Sequence, residues 1–178
     1  MNIEPLDSKK WKEFAMKDLF KKIVVGKSKG LNHLSQTDGR VPYLGATNRN
    51  NGVLAFVQNE PSMLQKGNTI GFIRNGNGSV GYSIYKRERF ISTSDISFGY
   101  ADWLNKNIGL FFTTISDTVY GKYSFGYKRT NERLLKEKVM LPVDDAGNPD
   151  YAYMEAYTHN IIAQKRNEYI NYISHISN

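Results

Sequence analysis

Cysteine is absent from this chain of 178 residues, which excludes disulfides, thiolate metal sites and a cysteine nucleophile and suits a reducing compartment. No apolar run of about eighteen residues occurs, so nothing reads as a membrane-spanning helix. The opening, MNIEPLDSKKWKEF, has no apolar segment and does not read as a signal peptide, so a cytoplasmic location is expected. Acidic residues are the minority charge: 17 Asp and Glu face 24 Lys and Arg, for a formal net charge of +7. That balance points to a polyanion or an acidic partner and says nothing of fold; a basic protein without such a partner is the plain alternative.

Catalytic signatures are missing too. His33, His159 and His175 do not stand in metal-ligand spacing, and no G-x-S-x-G elbow appears among the serines. Gly76, Gly78 and Gly81 spell G-x-G-x-x-G, but YSIY follows them where a dinucleotide site needs a helix, so a turn between strands is expected. Asn148-Pro149-Asp150-Tyr151 approaches the Asn/Asp-Pro-Pro-aromatic loop of amino-methyltransferases without its second proline. Asp150 reads better as a helix N-cap. Asp150 and Glu155 lack the Glu-x-Lys that would complete a nuclease pair, and convergent carboxylates for two-metal chemistry are not evident. No catalytic residue, metal site or cofactor is assigned, and a binding module is expected.

What is present is the composition of a folded protein, 40% hydrophobic and 13% aromatic, with twelve Tyr. Tyr suits interfaces as well as cores. The length allows one domain, or one with an appendage. Trp11 to Val25 reads as a short helix followed by a strand, because Trp11, Phe14, Leu19 and Phe20 can share a helical face. Strands are expected at Val41 to Leu44, Gly52 to Val57, Thr69 to Ile73 and Val80 to Tyr85, with another across Arg89 to Phe98. ATNRNN and RNGNGS are the turns. Asp102 to Ile115 changes to a helical period, GKYSFGYK is an aromatic-basic loop, and Arg133 to Val143 passes from a helical turn to a strand. DDAGNPD breaks the chain before Tyr151 to Ser177, a stretch without Gly or Pro whose apolar residues recur at three-four-seven spacing. The expected architecture is α+β: a mixed, β-rich domain over residues 1–148 followed by one long C-terminal helix over 149–178. At about 1.5 Å per residue that helix runs near 40 Å, beyond the span of the domain. Its stripe of Met154, Ile161, Ile162, Tyr169, Ile173 and Ile176 is therefore a candidate dimer interface; folding back on its own domain is the alternative.

Two clusters suit nucleic acid. Thr47, Asn48, Arg49, Asn50 and Asn51 join Arg74, Asn75, Asn77 and Ser79, where Asn can pair with adenine, Arg with guanine and backbone amides with phosphate. Lys86, Arg87 and Arg89 join Lys122, Tyr123, Ser124, Tyr127, Lys128 and Arg129 to neutralise phosphates. Turns and solvated charges account for the same residues without DNA.

The chain also resembles a family. Trp11, Phe14, Leu19 and Phe20 resemble the opening of target-recognition domains from specificity (S) subunits of type I restriction-modification enzymes, and of related type II systems such as BcgI. PYLGATNRNNGV, Gly67 to Ser83, FISTSD, KYSFGYKR and RLLKEKVMLPV follow in the same order, and the helix ending QKRNEYINYI resembles the spacer helix. The resemblance implies a non-catalytic DNA-binding specificity subunit that reads half of a split double-stranded target and docks a methyltransferase (M) subunit, and in complete complexes a restriction (R) subunit. A full S subunit carries two recognition domains and two long helices, whereas this chain carries one of each. It therefore resembles a half-subunit that would act as a homodimer. A stand-alone nucleic-acid-binding regulator is the other reading.

Overall fold

A computed structural model describes residues 4–176 except Lys29, Asn77 and Phe125. Among the described residues, nine strands form three sheets. The first residues fold differently from the sequence expectation. Trp11–Ala15 is a strand, β1, not a helix, and it pairs antiparallel with β9, Lys138–Pro142. The spacing of Trp11 and Phe14 fits a helical face, but Phe14 lies opposite Val139 and the long-range pairing overrides the local pattern. A single helical turn, α1 (Met16–Leu19), leads into β2 (Lys22–Val25).

The central sheet runs β2, β8 (Ile96–Tyr100), β5 (Thr69–Ile73), β6 (Ser83–Lys86), antiparallel throughout. Every residue of β5, Thr-Ile-Gly-Phe-Ile, is buried, which is why its sequence does not alternate. A smaller sheet pairs β4 (Val53–Val57) with β3 (Val41–Leu44), and β3 runs parallel to β7 (Ile91–Ser92). The single strand expected over Arg89 to Phe98 is thus β7 and most of β8, in different sheets.

Helix α2 (Lys106–Ser116) covers the central sheet. Its first free amides, Asn107 and Ile108, donate to the Asn105 side chain at 2.9 and 3.1 Å. Gly109 lets α2 approach β6, since a Cβ there would lie 2.3 Å from the Tyr85 ring. The main core sits beneath α2, where Phe20 meets both Phe72 and Phe112 edge-on at 5.5 Å. A second cluster, including Leu44, Ile73, Phe90 and Phe98, joins the two larger sheets. A short helix, α3 (Asn131–Lys136), is capped by Thr130 and precedes β9.

The C-terminal helix, α4, spans Tyr151–Ile176. Asp150 caps it as expected, accepting the Tyr153 amide at 2.9 Å and the Lys9 ammonium at 2.9 Å. Its first turns are built into the domain: Tyr151 stacks on Trp103 at 4.7 Å, Tyr153 donates its hydroxyl to the Glu4 carbonyl, and Met154 is fully buried in the main core. Met154 is therefore core and not part of an exposed interface stripe. Beyond Asn160 every described side chain except Ala163 is exposed. No helix among the described residues is long and apolar enough to cross a membrane.

Candidate nucleic-acid interface

Three loops meet at the end of the central sheet where β5 turns back into β6. The loop after β3 is bent by Asn50 and Asn51, both at φ near +50°, and by Gly52 at φ +76°. Asn tolerates that region better than most residues, so these two positions serve the turn first. Asn51 also donates its amide to the Tyr85 carbonyl at 3.3 Å. The loop between β5 and β6, residues 74–82, touches the first loop closely: a Cβ at Gly76 would sit 2.6 Å from the Ala46 carbonyl oxygen. Asn48 and Ser79 tie the two, the Asn48 amide donating to the Ser79 hydroxyl, which donates back to the Asn48 side-chain carbonyl. Asn75 donates to the Asp95 carboxylate at 3.0 Å, and Arg74 donates to the Ser94 carbonyl. Burial lowers the Arg74 guanidinium from its ordinary value, partly opposed by Asp95.

The third loop follows α2 and carries Tyr120 to Lys128. Arg129 is fully buried beneath it. Its guanidinium forms a two-pronged ion pair with Glu137 and donates to the Gly81 carbonyl at 3.1 Å, with the Phe72 and Tyr123 rings 5.0 and 5.7 Å away. Tyr123 donates to the same Glu137 carboxylate at 2.6 Å, and burial and that carboxylate push its hydroxyl well above the ordinary range. Asp117 completes the joint by accepting the Ser83 amide at 2.7 Å; burial pushes its carboxyl up to about 6. A Cβ at Gly81 would lie 2.5 Å from the Tyr120 backbone, so the second and third loops touch at their roots. Above that contact they part into a cleft of about 650 Å³ bordered by Asn75, Gly78, Tyr120, Gly121 and Lys128.

The structure brings the first predicted cluster together, with Thr47, Asn48, Arg49, Asn50 and Asn51 on one loop and Arg74, Asn75 and Ser79 on its neighbour; Asn77 lies outside the described residues. Ser79 itself is buried and serves the joint. The second predicted cluster is split. Lys86 closes β6 opposite Thr69, at the far end of the hairpin from Tyr120 to Lys128, and Arg87 and Arg89 follow it there, exposed. Lys86 is not available to phosphate: its side chain is 3% exposed and its ammonium pairs with Glu88 at 2.6 Å. Arg129 is likewise withdrawn from the surface by Glu137. Tyr123 is half-buried, while Lys122, Ser124, Tyr127 and Lys128 remain exposed.

Sequence reasoning passed over Tyr120, Arg133 and Asp117. Tyr120 is 53% exposed and stacks on Tyr82 at 5.0 Å, and Arg133 lies 3.7 Å over the Tyr127 ring. Their spacing carries no motif. The signal that was available is the density of Tyr with Lys and Arg from Tyr120 to Arg133. Among the described residues no group of three His, Asp or Glu could hold a metal ion.

The arrangement is that of a rim of polar and aromatic loops on a basic domain with a long helix leaving it, and known proteins share its fold. The S subunit of a type I restriction-modification system from M. genitalium superposes with a TM-score of 0.61 at 19% identity, over 97% of this chain and 44% of that one. The HsdS subunit of Thermoanaerobacter tengcongensis gives 0.59 at 14% identity, over 90% of this chain and 39% of that one. At those identities the likeness is one of fold. By sequence, the type II restriction enzyme BgcI specificity subunit S.BcgI of Heyndrickxia coagulans is 28% identical over 160 residues, 88% of this chain and 45% of that protein. The chain thus spans about half the length of the curated relative it matches. The model of the type I restriction modification DNA specificity domain matches residues 8–172, nearly the whole chain, and the protein belongs to that family.

Proposed function

We propose that this chain recognises a DNA sequence as the specificity component of a restriction-modification complex, reads one half of a split target, and carries no catalysis of its own. The observation that carries the reading is the family match, which runs from Ser8 through the recognition loops and most of α4. The basic balance of the chain, +7, and the exposed Arg49, Lys122 and Lys128 on the loop rim support contact with phosphate. Asn48 and Asn75 on these loops are of the type that pairs with base edges, and each is held by a partner that fixes its amide.

Two copies paired through α4 give the complete reader. Ile161, Ile162, Tyr169, Tyr172 and Ile176 continue the stripe that Tyr151 and Met154 begin, and they are 39 to 65% exposed. An apolar helical stripe left in water favours a second helix, and an identical one is always at hand. The partners in this reading are double-stranded DNA, a methyltransferase subunit and, in complete complexes, a restriction subunit, all acting in the cytoplasm where the DNA is. The test is co-purification with a co-expressed restriction-modification methyltransferase subunit, followed by a methylation assay. Methyl transfer to DNA that requires the chain is expected; a methyltransferase that neither binds it nor depends on it overturns the proposal.

A further inference from the structure

The cleft between the loops at residues 74–82 and 117–128 has a composition that the turn geometry of those loops does not explain. Gly76 and Gly81 are accounted for by close contacts with Ala46 and Tyr120, and Gly78 by its φ of +71°. Gly121 has no such reason. Its φ lies outside the left-handed region, and nothing stands within 4 Å of the position a Cβ would take. A side chain there would meet no neighbour, so what glycine provides at this border of the cleft is bare backbone. Beside it the Tyr120 ring, backed on one side by Tyr82, is half in solvent. Lys128 stands exposed at the same border, and Glu137, the acid rooted below this loop, is committed to Arg129 and Tyr123. The cleft volume of about 650 Å³ lies within the roughly 300–1,000 Å³ of small-ligand sites.

We propose that this cleft is a slot for a single nucleotide unit, its base laid against Tyr120 over the Gly121 backbone and its phosphate beside Lys128. A flat π-face, a bare backbone wall and an ammonium together suit a planar base carrying an anion. Asn75 borders the same cleft with its amide nitrogen held by Asp95, which leaves its carbonyl oxygen as the atom to accept from a base amino group. Asp95 fixes that orientation because a carboxylate can only accept. The nucleotide can come from a DNA strand, as a residue unstacked from the duplex, or be free in solution. The first source rests on the DNA-recognition reading above, and in that case the chain grips a displaced nucleotide as well as reading the groove.

The full chain is titrated by fluorescence anisotropy with two otherwise identical duplexes, one perfect and one carrying a single bulged thymidine. The slot is expected to favour the bulged duplex by about 5- to 100-fold, the range of base–aromatic stacking. Gly121→Val, which fills the wall, and Tyr120→Ala are each expected to bring the bulged duplex back to the affinity of the perfect one. Thermal melts confirm that both variants fold. Equal binding of the two duplexes, with Gly121→Val silent, overturns the slot and leaves DNA recognition standing. Failure of both duplexes to bind overturns DNA recognition, and the slot is then judged by titrating dTMP and following the backbone amides of Gly78 and Gly121 by NMR. Shifts lost in Gly121→Val assign the slot to a free nucleotide; unmoved amides overturn it.

Discussion

Arg129 and Glu137 face each other in the interior as a two-pronged ion pair, at 0% and 3% side-chain exposure, directly beneath the loops that form the candidate DNA-reading rim. Through the Gly81 carbonyl and the Tyr123 hydroxyl the pair holds the second and third loops to the root of β9. Removing one member leaves a buried charge without its counter-ion. Arg129→Met is expected to cost about 3–5 kcal/mol in urea unfolding, with Arg129→Met/Glu137→Leu recovering most of it. Loss below about 1 kcal/mol for the single variant contradicts this role.

Asp117 gives the fold an unusual pH response. Its carboxyl sits near 6 in the folded chain against an ordinary 3.8, so the folded state holds the proton more tightly than the unfolded state. This group therefore adds stability as pH falls through 6 toward 4 and withdraws it above 6, opposite to a salt-bridged Asp. Asp117→Asn keeps an oxygen to accept the Ser83 amide and removes the titration. The stability difference between Asp117→Asn and the natural chain is expected to grow from near zero at pH 4 to about 1–2 kcal/mol at pH 8, the full shift being reduced by the group's partial exposure to solvent. A difference that does not change with pH refutes the assignment.

Charged residues near the loops divide by burial. Arg49→Ala is expected to weaken DNA binding at low salt and reduce the slope of log affinity against log salt by about 1. Lys86→Ala, which loses a buried Lys side chain and its ion pair with the exposed Glu88, is expected to lower the melting temperature and leave that slope unchanged. Reversed behaviour would move the phosphate contacts to the other end of the central sheet.

The two halves of α4 are expected to respond oppositely to the same change. Met154→Glu buries a charge in the main core and is expected to abolish cooperative folding. Ile162→Glu with Tyr169→Glu, at positions 39% and 63% exposed, is expected to leave the melting temperature of the domain close to its original value while converting dimers to monomers in analytical ultracentrifugation. A natural chain that sediments as a monomer at high concentration removes the pairing.

What was legible in the sequence followed the locality of its cause. The long helix, its Asp150 cap and the strands around ATNRNN are set by residues within a few positions of one another, and each stands where it was expected. The Trp11 segment misled because its partner, β9, lies at the other end of the chain and nothing local announces the pairing. Lys86 and Arg129 misled for a related reason. Runs such as Lys-Arg-Glu-Arg and Lys-Arg look solvated in sequence, and only the tertiary fold turns Lys86 inward and places Glu137 beneath Arg129. The cleft at Tyr120 and Gly121 was invisible because its two walls come from loops more than thirty positions apart, brought together at Gly81 and by the Tyr82–Tyr120 stack.

Selection of bound duplexes from a randomised DNA pool is the sharpest test of the proposal that two copies of one domain read a split target. Enrichment of two inverted copies of one short half-site separated by a spacer of fixed length is expected, with the second copy lost when Ile162→Glu/Tyr169→Glu is used. Enrichment of a single half-site by the natural chain, or of no sequence at all, would contradict it.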